Sequence, residues 1–281
     1  MGLFSANYNR PGPGVRKDEK PKKAVPRFFT IFGRKFFDLI KLNLLFAIPV
    51  AVSLALVFCL SSVTKFAALA DLPFLLISPF VAGLTFVTRN YAREEHAFIF
   101  WDFRDAVKNN WKAFLINGAI CYAFYFILSV AINYYSSMSK TNSIFLVAMI
   151  ICIALSILFV FAQYYVPVML VTFDLTLRQV YKNALIFAIL GIWRNLLLTV
   201  LLLLLGFLLY LSQIMPLTII IAILLLVFLL FSYVMFLVNF TVYPLIDKMM
   251  IKPYQKKLKE EANGEEDSDT DDDDSAFKDA E

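Results

Sequence analysis

Histidine occurs once, at His96, and cysteine three times, at Cys59, Cys121 and Cys152. No CxxC or other ligand spacing joins the cysteines. Each sits inside an apolar run, where a free thiol behaves as a small buried hydrophobe. His96 lies in "EEHAF", which lacks the second histidine of a metalloprotease HExxH. Together with Glu94 and Glu95 it makes at most a surface metal set, and a solvated loop is the simpler account. GxSxG, Walker, GxGxxG and aspartyl-protease patterns are missing as well. The expectation is no cofactor, no catalytic residue and no enzymatic chemistry.

Charge is missing from the middle of the long apolar runs. Hydrophobic residues make up 60% of the 281, and 29 are phenylalanine. A soluble domain holds roughly 45–50% apolar residues, and a core of this length cannot hide the excess. Lipid is the solvent such a chain needs. Strand-like alternation is also absent: "LLLTVLLLLLGFLLYL" has no period of two, which excludes a membrane barrel. Before Asp38 no short apolar segment precedes a small-residue cleavage site, so no secretory leader is expected. "MGLFSA" has Ala6 where myristoylation wants Ser or Thr.

A helical span needs about 20 mostly apolar residues to cross a hydrocarbon layer ~30 Å thick. Six runs qualify: 39–63, 72–88, 113–133, 143–171, 196–213 and 217–242. Pro73 and Pro79 interrupt the second and shortest. After spans two and four come Arg89, Arg93, Arg104, Lys108 and Lys112, then Arg178, Lys182 and Arg194. Lys65 and Lys140 are the only cations on the other side. The positive-inside rule then places both termini in the cytoplasm.

The cytoplasmic loops have amphipathic stretches. In "FIFWDFRDAVKNNWKAF", Phe100, Phe103, Val107, Trp111 and Phe114 share one helical face, and "LTLRQVYKNALIF" repeats the pattern. "PRFFTIFGRKFFDLIKL" resembles them before span one. Helices of this kind lie in the headgroup plane. Each odd span then opens on a cation, Lys41, Lys112 or Arg194, and two of these follow a tryptophan, Trp111 and Trp193. Trp101, Trp111, Lys112, Trp193 and Arg194 are the expected interfacial anchors, with anionic headgroups at the cytoplasmic face as partners. The even spans carry Pro79, Pro167 and Pro244, expected near their cytoplasmic ends. The unit of surface helix, outward span and returning span recurs three times. The fold class is all-α: a polytopic six-helix membrane protein built from three hairpins, each preceded by an amphipathic interfacial helix. The spans form a domain over 28–252. A disordered basic Pro/Gly-rich arm over 1–27 precedes it and a cytoplasmic tail over 253–281 follows.

The pieces "RKFFDLIKLNLLFAIPV", "SPFVAGLTFVTRNYAREE", "FWDFRDAVKNNWKAFLING" and "YYVPVMLVTFDLTLRQVYKNALIF" resemble the YesL-like bacterial membrane proteins, a domain family of unknown function. The resemblance covers about 28–252. It implies a multi-pass protein of the bacterial cytoplasmic membrane with a role near carbohydrate uptake or sensing. It implies no catalytic residue.

Polar candidates are few. Lys41 and Asn43, a turn into span one, form a candidate cytoplasm-facing polar site; snorkelling and helix–helix hydrogen bonding are the ordinary alternatives. Asp174 is expected to cap the surface helix that follows it. Asn117, Ser129, Ser156 and Gln163 are the thin candidates for a solute path. Gly83, Gly118 and Gly206 would permit close helix crossings. From Glu260 onward the tail carries 12 acidic residues against Lys278, leaving 25 cations and 10 acids elsewhere. It fails the EF-hand pattern at Asp272 and Lys278 and reads as disordered. Nucleic acid is not an expected partner, because the cations sit where topology requires them. The preferred function is a non-enzymatic accessory protein of a membrane transport or sensor complex. A small transporter or channel is the alternative, and a lipid-handling enzyme stands last.

Overall fold

The computed structural model describes residues 23–214, 216–256 and 260. The basic arm through residue 22 and the acidic tail from residue 261 lie outside the described residues. Among those described, the chain is helical without a strand, and six helical segments are long and apolar enough to cross a membrane. The fold class expected from the sequence is the one observed.

Helix α1 (Ala24–Val63) and helix α4 (Ile99–Met138) each run for 40 residues. At ~1.5 Å per residue each is about twice as long as a hydrocarbon layer is thick. The amphipathic stretch and its span therefore form one continuous helix in both cases, because no proline or packed glycine separates them. The third surface helix, α6 (Leu177–Leu190), is separate from α7 (Ile192–Leu211), and Gly191 makes the break. A Cβ there would meet the Tyr165 hydroxyl and lie 2.9 Å from the Phe187 carbonyl.

Span two is composite. A short helix α2 (Ala67–Ala70) and a 3-10 segment (Leu72–Ile77) lead into α3 (Ser78–Ala92). Pro79 sits in the first turn of α3, where its missing N–H has no helical partner to lose. It opens the helix rather than interrupting it, and it lies far from the basic end; Pro167 and Pro244 do lie there, in the last turns of their helices. Span four is α5 (Ile144–Leu170). Span six is α8 (Pro216–Leu225), a π-helical turn (Leu226–Leu230), α9 (Phe231–Ile246) and a second π turn (Asp247–Ile251).

The returning spans form the centre. Helix α3 packs against α1, α4, α5 and α9, and nearly every residue from Ala82 to Ala92 is buried. Gly83 and Gly118 permit the α3–α4 crossing: a Cβ on Gly83 would stand 2.5 Å from Phe103 Cδ2, and one on Gly118 would strike the Ser78 hydroxyl. Gly206 faces open space and mediates no crossing.

Packing is concentrated at one end. In α4 the buried residues stop at Asn117, in α5 they begin at Phe161, in α7 they are Asn195 and Leu198, and α8 has none. The core thus lies in the half of the bundle nearest the basic loops. The other half holds its hairpins by contacts such as Phe124 stacked on Phe159 at 3.9 Å, and its apolar side chains face outward. Lipid tails solvate such surfaces as well as leucine does, so no hydrophobic force closes that half.

Candidate functional site

At the basic end, the start of α1, the loop after α3 and the end of α9 enclose a cleft of about 260 Å³. Arg27, Arg93, Glu95, Phe240, Tyr243 and Asp247 line it. Phe240 and Tyr243 lie three residues apart on one face of α9. Each carries a guanidinium: Arg27 stands 5.8 Å from the Phe240 ring centre and Arg93 stands 5.2 Å from that of Tyr243. Stacking fixes the two cations side by side. Arg93 also pairs with Glu95 at 2.6 Å, and Asp247 pairs with Lys252 at 3.2 Å.

Glu94 fastens the loop. Its carboxylate accepts from Arg27 Nε at 2.9 Å and from Arg34 Nη2 at 3.0 Å. These hydrogen bonds hold the carboxyl below the usual range. Its backbone has φ 62°. The Glu94 N–H donates to the Tyr91 carbonyl at 3.0 Å and the Glu95 N–H to the Asn90 carbonyl at 2.9 Å. This is the Schellman pattern, in which glycine is the usual left-handed residue. Glutamate accepts the steric cost here and supplies the carboxylate that two arginines need.

Arg89, one turn before Arg93, is buried. Its Nη1 donates to the Val171 carbonyl at 2.7 Å and to the Thr172 hydroxyl at 3.0 Å, and its Nε and Nη2 reach Asn90 Oδ1 at 3.2 and 2.9 Å. The Phe86 ring lies beneath it at 4.5 Å. Every acceptor is neutral. Among the described residues Arg89 makes no ion pair, and the negative end of α5, which it caps, balances its charge.

Several polar side chains of the spans bind a neighbouring helix. Asn43 Nδ2 on α1 donates to the carbonyls of Leu226 and Val227 at 2.9 and 2.7 Å. Its Oδ1 accepts the Ser232 N–H at 2.9 Å. Asn43 thus satisfies groups that the π turn frees from the regular ladder. Tyr181 donates to Asn117 Oδ1 at 2.6 Å, Gln163 Nε2 to the Tyr181 hydroxyl at 3.2 Å, and Asn117 Nδ2 to Gln163 Oε1 at 3.4 Å. The three close a ring across α4, α5 and α6, and burial pushes the Tyr181 hydroxyl up to about 12. The Tyr165 hydroxyl donates to Asn195 Oδ1 at 2.8 Å, and Asn239 Nδ2 donates to Thr88 Oγ1 at 2.8 Å. Three buried polar atoms, Ser53 Oγ, Tyr91 Oη and Asn239 Oδ1, have no protein partner among the described residues.

Lys41 and Asn43 are not brought together. Lys41 is exposed and lies 4.0 Å from Asp38, whereas Asn43 is wholly buried. Trp101, Trp111 and Trp193 are exposed, the last at 80%, and Lys112 and Arg194 are exposed beside them. Arg104 stands 5.8 Å from the Trp101 ring and Lys112 stands 5.5 Å from that of Trp111. Asp174 does not cap α6. Thr176 does, its N–H and hydroxyl both donating to Gln179 Oε1 at 2.9 and 2.8 Å, because "TLRQ" is a capping box and Asp174 stands two residues too early. Asn117 and Gln163 do meet. Ser129 and Ser156 do not join them: the Ser156 hydroxyl bonds the Cys152 carbonyl on its own helix, and the Ser129 carbonyl accepts from Asn133. His96 lies 4.8 Å from Phe98, ring centre to ring centre. Among the described residues no three His, Cys, Asp or Glu side chains gather as a metal set. The sequence reading missed the cleft. Its lining comes from three separate stretches, around Arg27, Arg93 and Tyr243, and no spacing within any one of them marks it.

Six membrane-crossing helices with a polar clamp at one end define an all-α membrane protein. A family model described as "Protein of unknown function, DUF624" matches residues 39–132, from within α1 to within α4. That match covers less than half of the chain and carries neither the YesL-like name nor the extent of 28–252. No curated protein and no solved structure matches the chain.

Proposed function

We propose that this chain is a non-enzymatic accessory protein of a bacterial cytoplasmic membrane. Both termini face the cytoplasm, and it docks on another membrane complex, such as a permease or sensor in carbohydrate uptake. The observation that carries this reading is the engagement of the span polar groups. Asn43, Asn117, Gln163, Tyr165, Asn195 and Thr88 each hold another helix or its backbone. Side chains so engaged fasten a scaffold and leave little to coordinate a moving solute. The elaborated surface is the basic one, where Trp101, Trp111 and Trp193 meet headgroups beside Lys112 and Arg194. The YesL-like resemblance supports the bacterial setting. Photo-reactive residues placed at Trp101 and Arg178 in native membranes test the reading. One abundant partner protein is expected, and cross-links to lipid or to a second copy alone would overturn it.

A transporter for a small or uncharged solute is the second reading. The Asn117–Gln163–Tyr181 ring favours it, since opening the ring frees donors and acceptors inside the bundle. Solute uptake by reconstituted vesicles, lost in Asn117→Leu, would establish it.

A further inference from the structure

We propose that the cleft at the basic end binds a zwitterionic phosphoethanolamine group, its phosphate on Arg27 and Arg93 and its ammonium on Glu95 and Asp247. Nothing in this inference depends on the accessory reading.

The donors come first. Arg27 uses Nε on Glu94 and Nη2 on the Ala92 carbonyl, and Arg93 uses Nη2 on Glu95. A guanidinium has five N–H groups, so both retain donors in the planar fork that suits phosphate oxygens. Phe240 and Tyr243 already hold the two cations in place, and a pre-organised cation loses less entropy on binding.

The acceptors follow. Glu95 and Asp247 each give one oxygen to an internal cation. Each keeps a second oxygen for an N–H donor. The cleft's own charges cancel, two arginines against two carboxylates. A purely anionic headgroup would meet Arg27 and Arg93 but also two carboxylates with no ammonium to answer them, and that repulsion selects against it.

Size and depth agree. A volume of about 260 Å³ is below the usual range for drug-sized ligands and suits a headgroup. The cleft lies where spans end: Phe29, two residues after Arg27 on α1, and Tyr254, past the end of α9, are both exposed, as apolar bodies at a membrane interface are. The same chemistry occurs on a membrane phospholipid and on free phosphoethanolamine, and the experiment separates them.

Full-length protein in detergent is presented with equal amounts of phosphatidylethanolamine, phosphatidylglycerol and phosphatidylcholine, and retained lipid is counted by native mass spectrometry. One phosphatidylethanolamine is expected to be held about tenfold more tightly than phosphatidylglycerol, with phosphatidylcholine weaker because its ammonium has no N–H. Glu95→Gln and Asp247→Asn, on separate elements, should each erase the preference, and Arg93→Gln should weaken both phospholipids. Melting temperatures identify any variant that has lost its fold. Soluble phosphoethanolamine is then added. Failure to displace the retained lipid assigns the ligand to the membrane. A rise in melting temperature with no lipid retained assigns it to the free compound. Equal retention of ethanolamine and glycerol lipids, or an unchanged preference in both carboxylate variants, would overturn the proposal, as would no response to any of these compounds.

Discussion

Asn43 and Ser232 are 189 residues apart, and the side chain of the first accepts the backbone N–H of the second at 2.9 Å. The bond joins the first and last spans at a place where the last one departs from regular α-helix. A π turn leaves backbone groups without their usual partners, and inside a bilayer no water reaches them. Asn43 answers two carbonyls and one N–H with a single amide. Leucine at this position fits the volume but answers none. Asn43→Leu is therefore expected to lower unfolding free energy by about 2 kcal/mol, read by urea or SDS titration in micelles. Lys41→Leu, two residues away on the exposed face, should change it by much less.

Helix spacing gives a second prediction. Gly118→Ala forces a Cβ into Ser78, and Gly83→Ala forces one into Phe103. Overpacking of this kind costs roughly 1–3 kcal/mol. Gly206→Ala has open space and a better helix former, so its melting temperature should stay level or rise. Equal losses at all three glycines would show that the α3–α4 crossing is not what these residues serve.

The polar ring predicts coupling. Tyr181→Phe removes the donor to Asn117 and the acceptor for Gln163 at once. Asn117→Leu removes the other end of the same bond. A double-mutant cycle should give a coupling free energy of about 0.6–1.7 kcal/mol, the range for hydrogen bonds between membrane helices. Purely additive losses would mean that the two side chains do not hold α6 to the spans.

Glu94 predicts an acid-sensitive joint. Its folded carboxyl titrates below the ordinary value because Arg27 and Arg34 bond its ionised form. A depressed carboxylate contributes stability fully above its unfolded value, about 4.3, and loses it as pH falls through the lower folded value. Spin labels at Phe29 and Phe98, both exposed, should report a wider distance distribution in acid, and Glu94→Gln should show that distribution at neutral pH. The left-handed backbone gives a separate check. Glu94→Gly and Glu94→Ala both lose the arginine tie, but only glycine relieves the strain, so it should be the more stable of the two by about 1 kcal/mol.

Much of this was legible in the sequence, for physical reasons. Long uncharged runs must be spans, and the one-sided cations order them along the membrane. Asn117 and Gln163 stood out because amides are rare in such runs, and they do meet. Nothing in the sequence marks Tyr181 as their partner, because its stretch has the pattern of a headgroup-facing helix. The cleft was illegible for a related reason. Arg89, Arg93 and Glu94 read as topology signals and a solvated loop, and no pattern in one sequence says that the start of α1 folds across them to meet Phe240 and Tyr243. Asp174 lost its expected role to Thr176 through simple register, since a capping box sets the start of α6.

If Asn43, Asn117, Gln163 and Asn195 fasten helices, as proposed above, no aqueous route runs through the middle of the bundle. Ser53, Thr85 and Ser232 are wholly buried small polar residues in α1, α3 and α9, so cysteine replaces each with little change in shape. With Cys59, Cys121 and Cys152 first changed to alanine, each single-cysteine protein is treated in membrane vesicles with a charged, membrane-impermeant maleimide. No labelling is expected at the three positions from either side until the protein is unfolded in SDS. Rapid labelling of Ser53→Cys, Thr85→Cys or Ser232→Cys in intact vesicles would contradict it and place water in the middle of the bundle.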